Sequence, residues 1–321
     1  MQTRTELFHT AMRTVSARRQ RARLAADEQA QALRRRLPRL AQLETARRQA
    51  GIRAALLAAQ GQADADDEKT RCQNEINALL AENGYAADAL EPHFTCPVCK
   101  DTGYDNGHVC GCVHTLMRQL RRDELNSSSS LSLCSFDTMQ LKWYPETRLA
   151  DNHTVRAYMR GILSDLREYA ETFDQRSVNL LLSGNAGLGK THAALAIAGV
   201  VLDKGYDVIY QSAPELFGQL ETAHFNNDSE SERALMDAVC EADFLVLDDL
   251  GTEMVTSFTL SQFYTLLNRR QAARKVTAIT TNITDPALME KRYTEKIASR
   301  LLGSFELFTF LGNDIRLLKN G

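Results

Sequence analysis

Hydrophobic and polar positions change their rhythm twice along the chain. Residues 5–60 are mostly Ala, Arg, Gln and Leu, strong helix formers interrupted by Pro38 and Gly51, and they predict two or three helices. Leu33, Leu37, Leu40 and Leu43 recur at helical spacing, an apolar stripe on a basic surface that calls for a packing partner. Residues 61–70, with Gly61 and the acids Asp64, Asp66, Asp67 and Glu68, predict a solvated break. Helical spacing resumes over 72–80, stops at Asn83-Gly84, and returns near 115–125. Asn126 and the four serines after it predict a linker over 126–151. From about residue 152 short apolar runs alternate with longer helical stretches. Strands are expected at 179–182, 207–211, 244–247, 276–280 and 307–310. The helical lengths between most of them imply crossover connections and an α/β fold: a central, mainly parallel five-stranded sheet covered by helices on both faces.

The chain of 321 residues, 44% hydrophobic, has room for one sizeable core and a smaller module. Three segments are expected: 1–125 as a helical, cysteine-bearing module, 126–151 as the linker, and 152–321 as the α/β domain. No apolar run approaches 18 residues and the opening Met-Gln-Thr-Arg-Thr-Glu lacks the parts of a secretory signal, so a cytoplasmic protein without a membrane partner is expected. The net charge of -3 conceals an asymmetry, because residues 1–60 hold thirteen arginines against four acids. Such a segment suits an acidic protein partner or nucleic acid equally.

Residues Gly184, Asn185, Ala186, Gly187, Leu188, Gly189, Lys190 and Thr191 spell G-x-x-x-x-G-K-T between an apolar run and a helix expected to start near Thr191, and these eight with His192 are the expected nucleotide-binding residues. Here the glycines let backbone N–H groups face a triphosphate, Lys190 reaches the outer phosphates, and the Thr191 hydroxyl can ligate Mg²⁺. The helix that follows adds the positive end of its dipole. The apolar run 244–247 ends in Asp248-Asp249. Asp248 suits the Mg²⁺ and Asp249 the attacking water, although one of the two is equally suited to capping the turn at Gly251. Asn282 is placed either to touch the outer phosphate or to shape the turn before Asp285-Pro286. Arg300 and Arg316 are candidates for neutralising charge on a transferring phosphoryl group, within the subunit or from a neighbour.

Seven cysteines in a cytosolic chain argue against a disulfide framework. Cys96, Cys99, Cys110 and Cys112 form C-x2-C-x10-C-x-C, two close thiolate pairs suited to tetrahedral Zn²⁺. A redox C-x-x-C is the alternative, and His93, His108 or His114 lies near enough to replace one cysteine. Cys72, Cys134 and Cys240 are expected to pack.

Taken together, Gly184 to Thr191, Leu247-Asp248-Asp249-Leu250-Gly251, Thr280-Thr281-Asn282, Ile297-Ala-Ser-Arg300-Leu and Gly312-Asn-Asp-Ile-Arg316 resemble the additional-strand (AAA+) ATPases, more closely the DnaC/DnaI-type bacterial helicase loaders and their IstB-like relatives. The resemblance covers about residues 150–320. It implies an AAA+ P-loop ATPase using ATP and Mg²⁺, with Asn282 in sensor 1, Arg300 offered to the adjacent subunit's ATP, and Arg316 as sensor 2. Cys96-Pro-Val-Cys99-Lys-Asp-Thr-Gly-Tyr104 with Cys110-Gly-Cys112 resembles the zinc module ahead of the ATPase in the DnaI-like loaders. The family's partners would then be a hexameric replicative helicase gripped by the amino-terminal module, single-stranded DNA on the ATPase domain, and further copies through shared ATP sites. The DNA surface is expected near Tyr210, Ser212 and Phe217. A helper of a transposase or an accessory to phage replication is the alternative within the family. Many relatives carry Asp-Glu where this chain has Asp248-Asp249, which implies slow hydrolysis unless DNA or the helicase stimulates it.

Overall fold

The computed structural model describes residues 2–59, 66–128, 134–150 and 152–320. The elements run α1 (Arg4–Arg36), α2 (Pro38–Ala59), α3 (Asp66–Glu82), β1 (Tyr104–Asp105), β2 (His108–Val109), α4 (Gly111–Ser128), α5 (Val155–Thr172), β3 (Asn179–Ser183), α6 (Lys190–Asp203) and β4 (Val208–Ser212). They continue with α7 (Ala213–Phe225), α8 (Ser229–Glu241), β5 (Phe244–Leu250), α9 (Ser257–Ala272), β6 (Val276–Thr281), α10 (Pro286–Ser304), β7 (Phe305–Thr309) and α11 (Ile315–Asn320). Two compact units emerge: residues 12–113, and residues 1–11 together with 114–321.

The larger unit is built on a five-stranded parallel sheet in the order β4-β5-β6-β3-β7. Alternation along the strands assigns each side chain to a face. Leu180, Leu182, Val246 and Ala278 join one core with α5 and α6, whereas Leu181, Leu245, Leu247 and Ile279 join the other with α7, α8, α9 and α10. Because both faces are covered, the strands read as near-continuous apolar runs. Each fully buried Leu, Val or Ile adds about 1.5–3 kcal/mol to the stability of its layer. β5 breaks register with β6 between Leu247 and Leu250, and Asp249 takes φ 56° there, so the two adjacent acids leave the sheet in different directions.

All five expected strands are present, with ends shifted by up to three residues. Residues 126–151 differ from the expected linker. α4 runs to Ser128, short 3-10 turns follow at Phe136–Thr138 and Leu141–Trp143, and Phe136 and Tyr144 are buried in the core of the larger unit. The expected split into 1–125 and 152–321 also differs from the compact units, since α4 packs with the larger one. There Arg121 is 1% exposed and reaches Asp207 Oδ1 (3.0 Å) and the Gln2 carbonyl (2.8 Å).

In the smaller unit the leucine stripe bends across a helix junction. α1 stops at Arg36 because a residue before proline disfavours helical ψ, and Pro38 starts α2 where its missing N–H costs nothing. Leu33 and Leu40 bury with Ile76 and Leu80 of α3, and Leu37 and Leu43 pack beside them. The stripe therefore has its partner inside the chain. Gly51 sits inside α2 rather than ending it. Of the expected break at 61–70, residues 60–65 lie outside the described residues and 66–70 form the first turn of α3. No helix among the described residues is long and apolar enough to cross a membrane.

Candidate functional site

The C-terminal ends of β3, β5 and β6 deliver the site, as expected for a parallel sheet. After β3 the chain turns through Gly184–Gly189 into α6, whose N-cap is Gly189. Gly187 has φ 76°, and a Cβ there would lie 1.8 Å from Asp314 Oδ1, so any other residue is strained and displaces the Asp314 carboxylate. At Gly189 (φ 92°) a Cβ would come within 3.3 Å of Met139 Cε and the Tyr144 hydroxyl.

Lys190 Nζ donates to the carbonyls of Gly184 and Asn185 and to Asn282 Oδ1, each at 2.7 Å. Burial lowers its pKa to about 8 against the pull of Asp249 and Asp248, with Arg316 adding to the lowering. Asn282, at the end of β6, is thus joined to the P-loop lysine rather than serving only its turn.

Asp248 is 3% exposed and accepts from Thr191 Oγ1 (2.9 and 3.1 Å), Tyr210 OH (2.7 Å) and Thr280 Oγ1 (2.6 Å). Asp249 faces the cleft. Its N–H donates to Thr280 Oγ1 at 2.9 Å, while burial and the Asp248 charge raise its carboxyl above the ordinary range against Lys190 and Arg316. A carboxyl lifted in this way is a stronger base toward a water proton.

A cleft of about 300 Å³ lies over the loop. Ala186 to His192, Asp249, Asn282 and Arg316 line it, and Arg316 also pairs with Asp314 at 3.5 Å. Arg300 is elsewhere: its Nε donates to Asn268 Oδ1 (2.8 Å) and its guanidinium lies 4.6 Å from the ring centroid of Tyr264 on α9. The cleft has further walls that sequence reading missed, namely Thr138, Met139, Gln140, Trp143, Tyr144, Thr252 and Ile315. The one available signal was an aromatic pair, Trp143-Tyr144, inside a supposed linker. Tyr210 and Phe217, expected on a DNA surface, are instead buried, the first holding Asp248 and the second in the core. Ser212 is the N-cap of α7.

The site fits a nucleoside triphosphate and its metal. A glycine-shaped cradle, an ammonium among carbonyls and the Thr191–Asp248 pair are the donor set that phosphates and Mg²⁺ require. Thr191 and Asp248 would hold the ion, which would neutralise charge on the outer phosphates.

In the smaller unit the four sulfur atoms of Cys96, Cys99, Cys110 and Cys112 all lie within 4.8 Å of one another, the single such group of potential ligands among the described residues. Cys96 and Cys110 approach to 3.8 Å and Cys99 and Cys112 to 3.5 Å. Tetrahedral Zn–S bonds of about 2.3 Å place sulfurs roughly 3.8 Å apart, so the cage fits zinc. The buried Asp101 carboxylate accepts from the N–H groups of Thr95 (2.7 Å) and Cys96 (2.9 Å), which fixes the knuckle turn. None of the three nearby histidines joins the cage.

In the sheet, β6 stands between the P-loop strand β3 and the acidic strand β5, the additional strand that separates AAA+ ATPases from simpler P-loop folds. Fold and site together define an AAA+ P-loop ATPase. Residues 144–319 match the family described as IstB-like ATP binding protein, and the chain belongs to that family. It is 27% identical over 139 residues to the replicative helicase loader DnaC of Escherichia coli K12, covering 43% of this chain and 56% of that protein. The chain thus spans little more than half the length of the DnaC it matches. It is 26% identical over 196 residues to the uncharacterized YdaV of the same strain, covering 60% of this chain and 73% of that one. A crystal structure of the DnaC helicase loader aligns with TM-score 0.45 and 22% identity, over 55% of this chain and 98% of that one.

Proposed function

We propose that this ATPase loads a hexameric replicative helicase onto single-stranded DNA in the cytoplasm, with ATP binding and hydrolysis controlling assembly and release. The observation that carries the reading is the ATP site itself, assembled from Lys190, Thr191, Asp248 and Asn282 inside the region that matches the IstB-like family, in a chain that is also similar to a replicative helicase loader. Asp249 orients the attacking water, Arg316 neutralises the phosphates from within the subunit, and Arg300 completes the site of a neighbouring copy. Its position on α10, outside its own cleft, supports that division of labour.

The amino-terminal module grips the helicase. With the leucine stripe already packed against α3, the grip falls to the exposed basic surface and to the cysteine knuckle, with zinc holding the latter where apolar residues are too few to do so. Hydrolysis is slow in isolation, since Asp249 has a shorter reach than the glutamate of many relatives.

The test is co-purification of the full-length chain with the resident hexameric helicase, with ATP, with ADP and without nucleotide. Retention that depends on nucleotide supports loading. Retention by a transposase and not by the helicase would move the reading to a transposition helper.

A further inference from the structure

The cleft has two ends of different chemistry. One is the phosphate cradle of Lys190 and Thr191; the other is made by the 138–144 strap, which no sequence motif marks. The strap is stapled at one end to the helix α6 and at the other to the P-loop before it. At one end Thr138 Oγ1 and His192 Nε2 lie 2.7 Å apart, and at the other Tyr144 OH donates to the Leu188 carbonyl at 2.9 Å. Between these staples Met139, Gln140 and Trp143 face the cleft as an apolar, a bifunctional amide and an aromatic wall.

Trp143 is unusual in two respects. Its Nε1–H is buried with no hydrogen-bond acceptor among the described residues, and one face of its ring carries the Lys142 ammonium, 4.8 Å from the centroid. A buried donor without an acceptor carries an uncompensated desolvation cost, so a turn of the indole that meets a ligand acceptor is favoured. A flat aromatic ligand on the other face would gain stacking as well.

We propose that Trp143 closes over the purine base of a bound nucleoside triphosphate, while the Gln140 amide reads the base edge, so that the strap sets base selectivity. The proposal rests on the nucleotide-binding reading of the phosphate end and adds the base end. Gln140 offers both a donor and an acceptor, which matches a purine edge carrying both.

Trp143 is the only tryptophan of the chain, so its emission reports this site alone. Full-length protein is titrated, with Mg²⁺, with ATP, GTP, CTP and inorganic tripolyphosphate, following emission and, by calorimetry, affinity. ATP and GTP are expected to shift the emission, with CTP shifting it less and tripolyphosphate binding without a shift. Trp143→Phe is expected to weaken ATP about tenfold while leaving tripolyphosphate within about twofold. Gln140→Ala is expected to narrow the gap between ATP and CTP. Equal emission shifts with ATP and tripolyphosphate, or wild-type ATP affinity in Trp143→Phe, overturns the base subsite and leaves the phosphate site standing. Failure of both ATP and tripolyphosphate to bind overturns the nucleotide reading and the subsite with it.

Discussion

A single amine carries most of the charge logic of the cleft. Lys190 spends its three donors on Gly184, Asn185 and Asn282, so a phosphate must exchange with contacts already made. Its charge is lost as pH rises through about 8, and ATP affinity is expected to fall with it by roughly tenfold per pH unit until the phosphates themselves restore the proton. Calorimetry in two buffers of different ionisation enthalpy reads the proton uptake. The sign for stability is opposite. A lysine whose folded pKa lies below its unfolded value destabilises the fold while protonated, so Lys190→Met is expected to raise the melting temperature of the nucleotide-free protein at pH 7, with the gain fading between pH 8 and about 10.5. The same variant is expected to abolish ATP binding. The P-loop residues were legible in sequence because their chemistry is local, a run of eight residues that makes its own loop. Tyr210 and Tyr144 were not, because what they touch, Asp248 and Leu188, is 38 and 44 residues away and is brought to them only by the sheet and the strap.

At the scale of elements, the strand starts are tied together by Asp243, which precedes β5. It accepts from the Asp207 N–H at 2.9 Å and from Lys275 Nζ at 2.6 Å, with Arg4 at 3.8 Å. Burial alone would raise its carboxyl, but these hydrogen bonds and charges outweigh it and hold the group below the usual range. Its contribution is therefore present above the ordinary carboxylate pKa and disappears as pH falls below it. Asp243→Asn is expected to cost on the order of 1 kcal/mol at pH 7 and nothing at pH 2, as read by urea unfolding at both.

On α9 and α10, Asn268 and Tyr264 hold Arg300 away from its own cleft. If Arg300 completes a neighbouring copy's site as proposed, Asn268→Ala is expected to leave ATP affinity unchanged and to lower turnover several-fold only in the assembled complex, as measured by comparing steady-state hydrolysis of the chain alone and with the proposed helicase partner. Strand existence was legible from apolar runs; ends were not, since β7 begins at Phe305 through pairing with β3 rather than through its own pattern. Gly51 stays inside α2 because a local helix penalty of about 1 kcal/mol is small beside the rest of a 22-residue helix.

For the whole molecule, two separately compact units imply two separable stabilities. If zinc holds the four cysteines as proposed, a chelator is expected to melt the knuckle, exposing the four thiols to a colorimetric reagent, while ATP affinity changes by less than about threefold. The cysteine cage was legible from spacing alone because metal ligation needs only four sulfurs in reach. Where the units divide was not legible, because α1 is one uninterrupted 33-residue helix whose first residues count with the ATPase and the rest with the other unit.

That division has a practical edge. Leu7 and Ala11 are buried, Arg4 faces Asp243 and the Gln2 carbonyl caps Arg121, so the opening turns of α1 are a clasp on the motor rather than a dispensable tail. Trimming the chain to its family-matched region, the habitual way to isolate a motor domain, would strip that clasp and strap alike, and an inert product would say nothing about the intact protein.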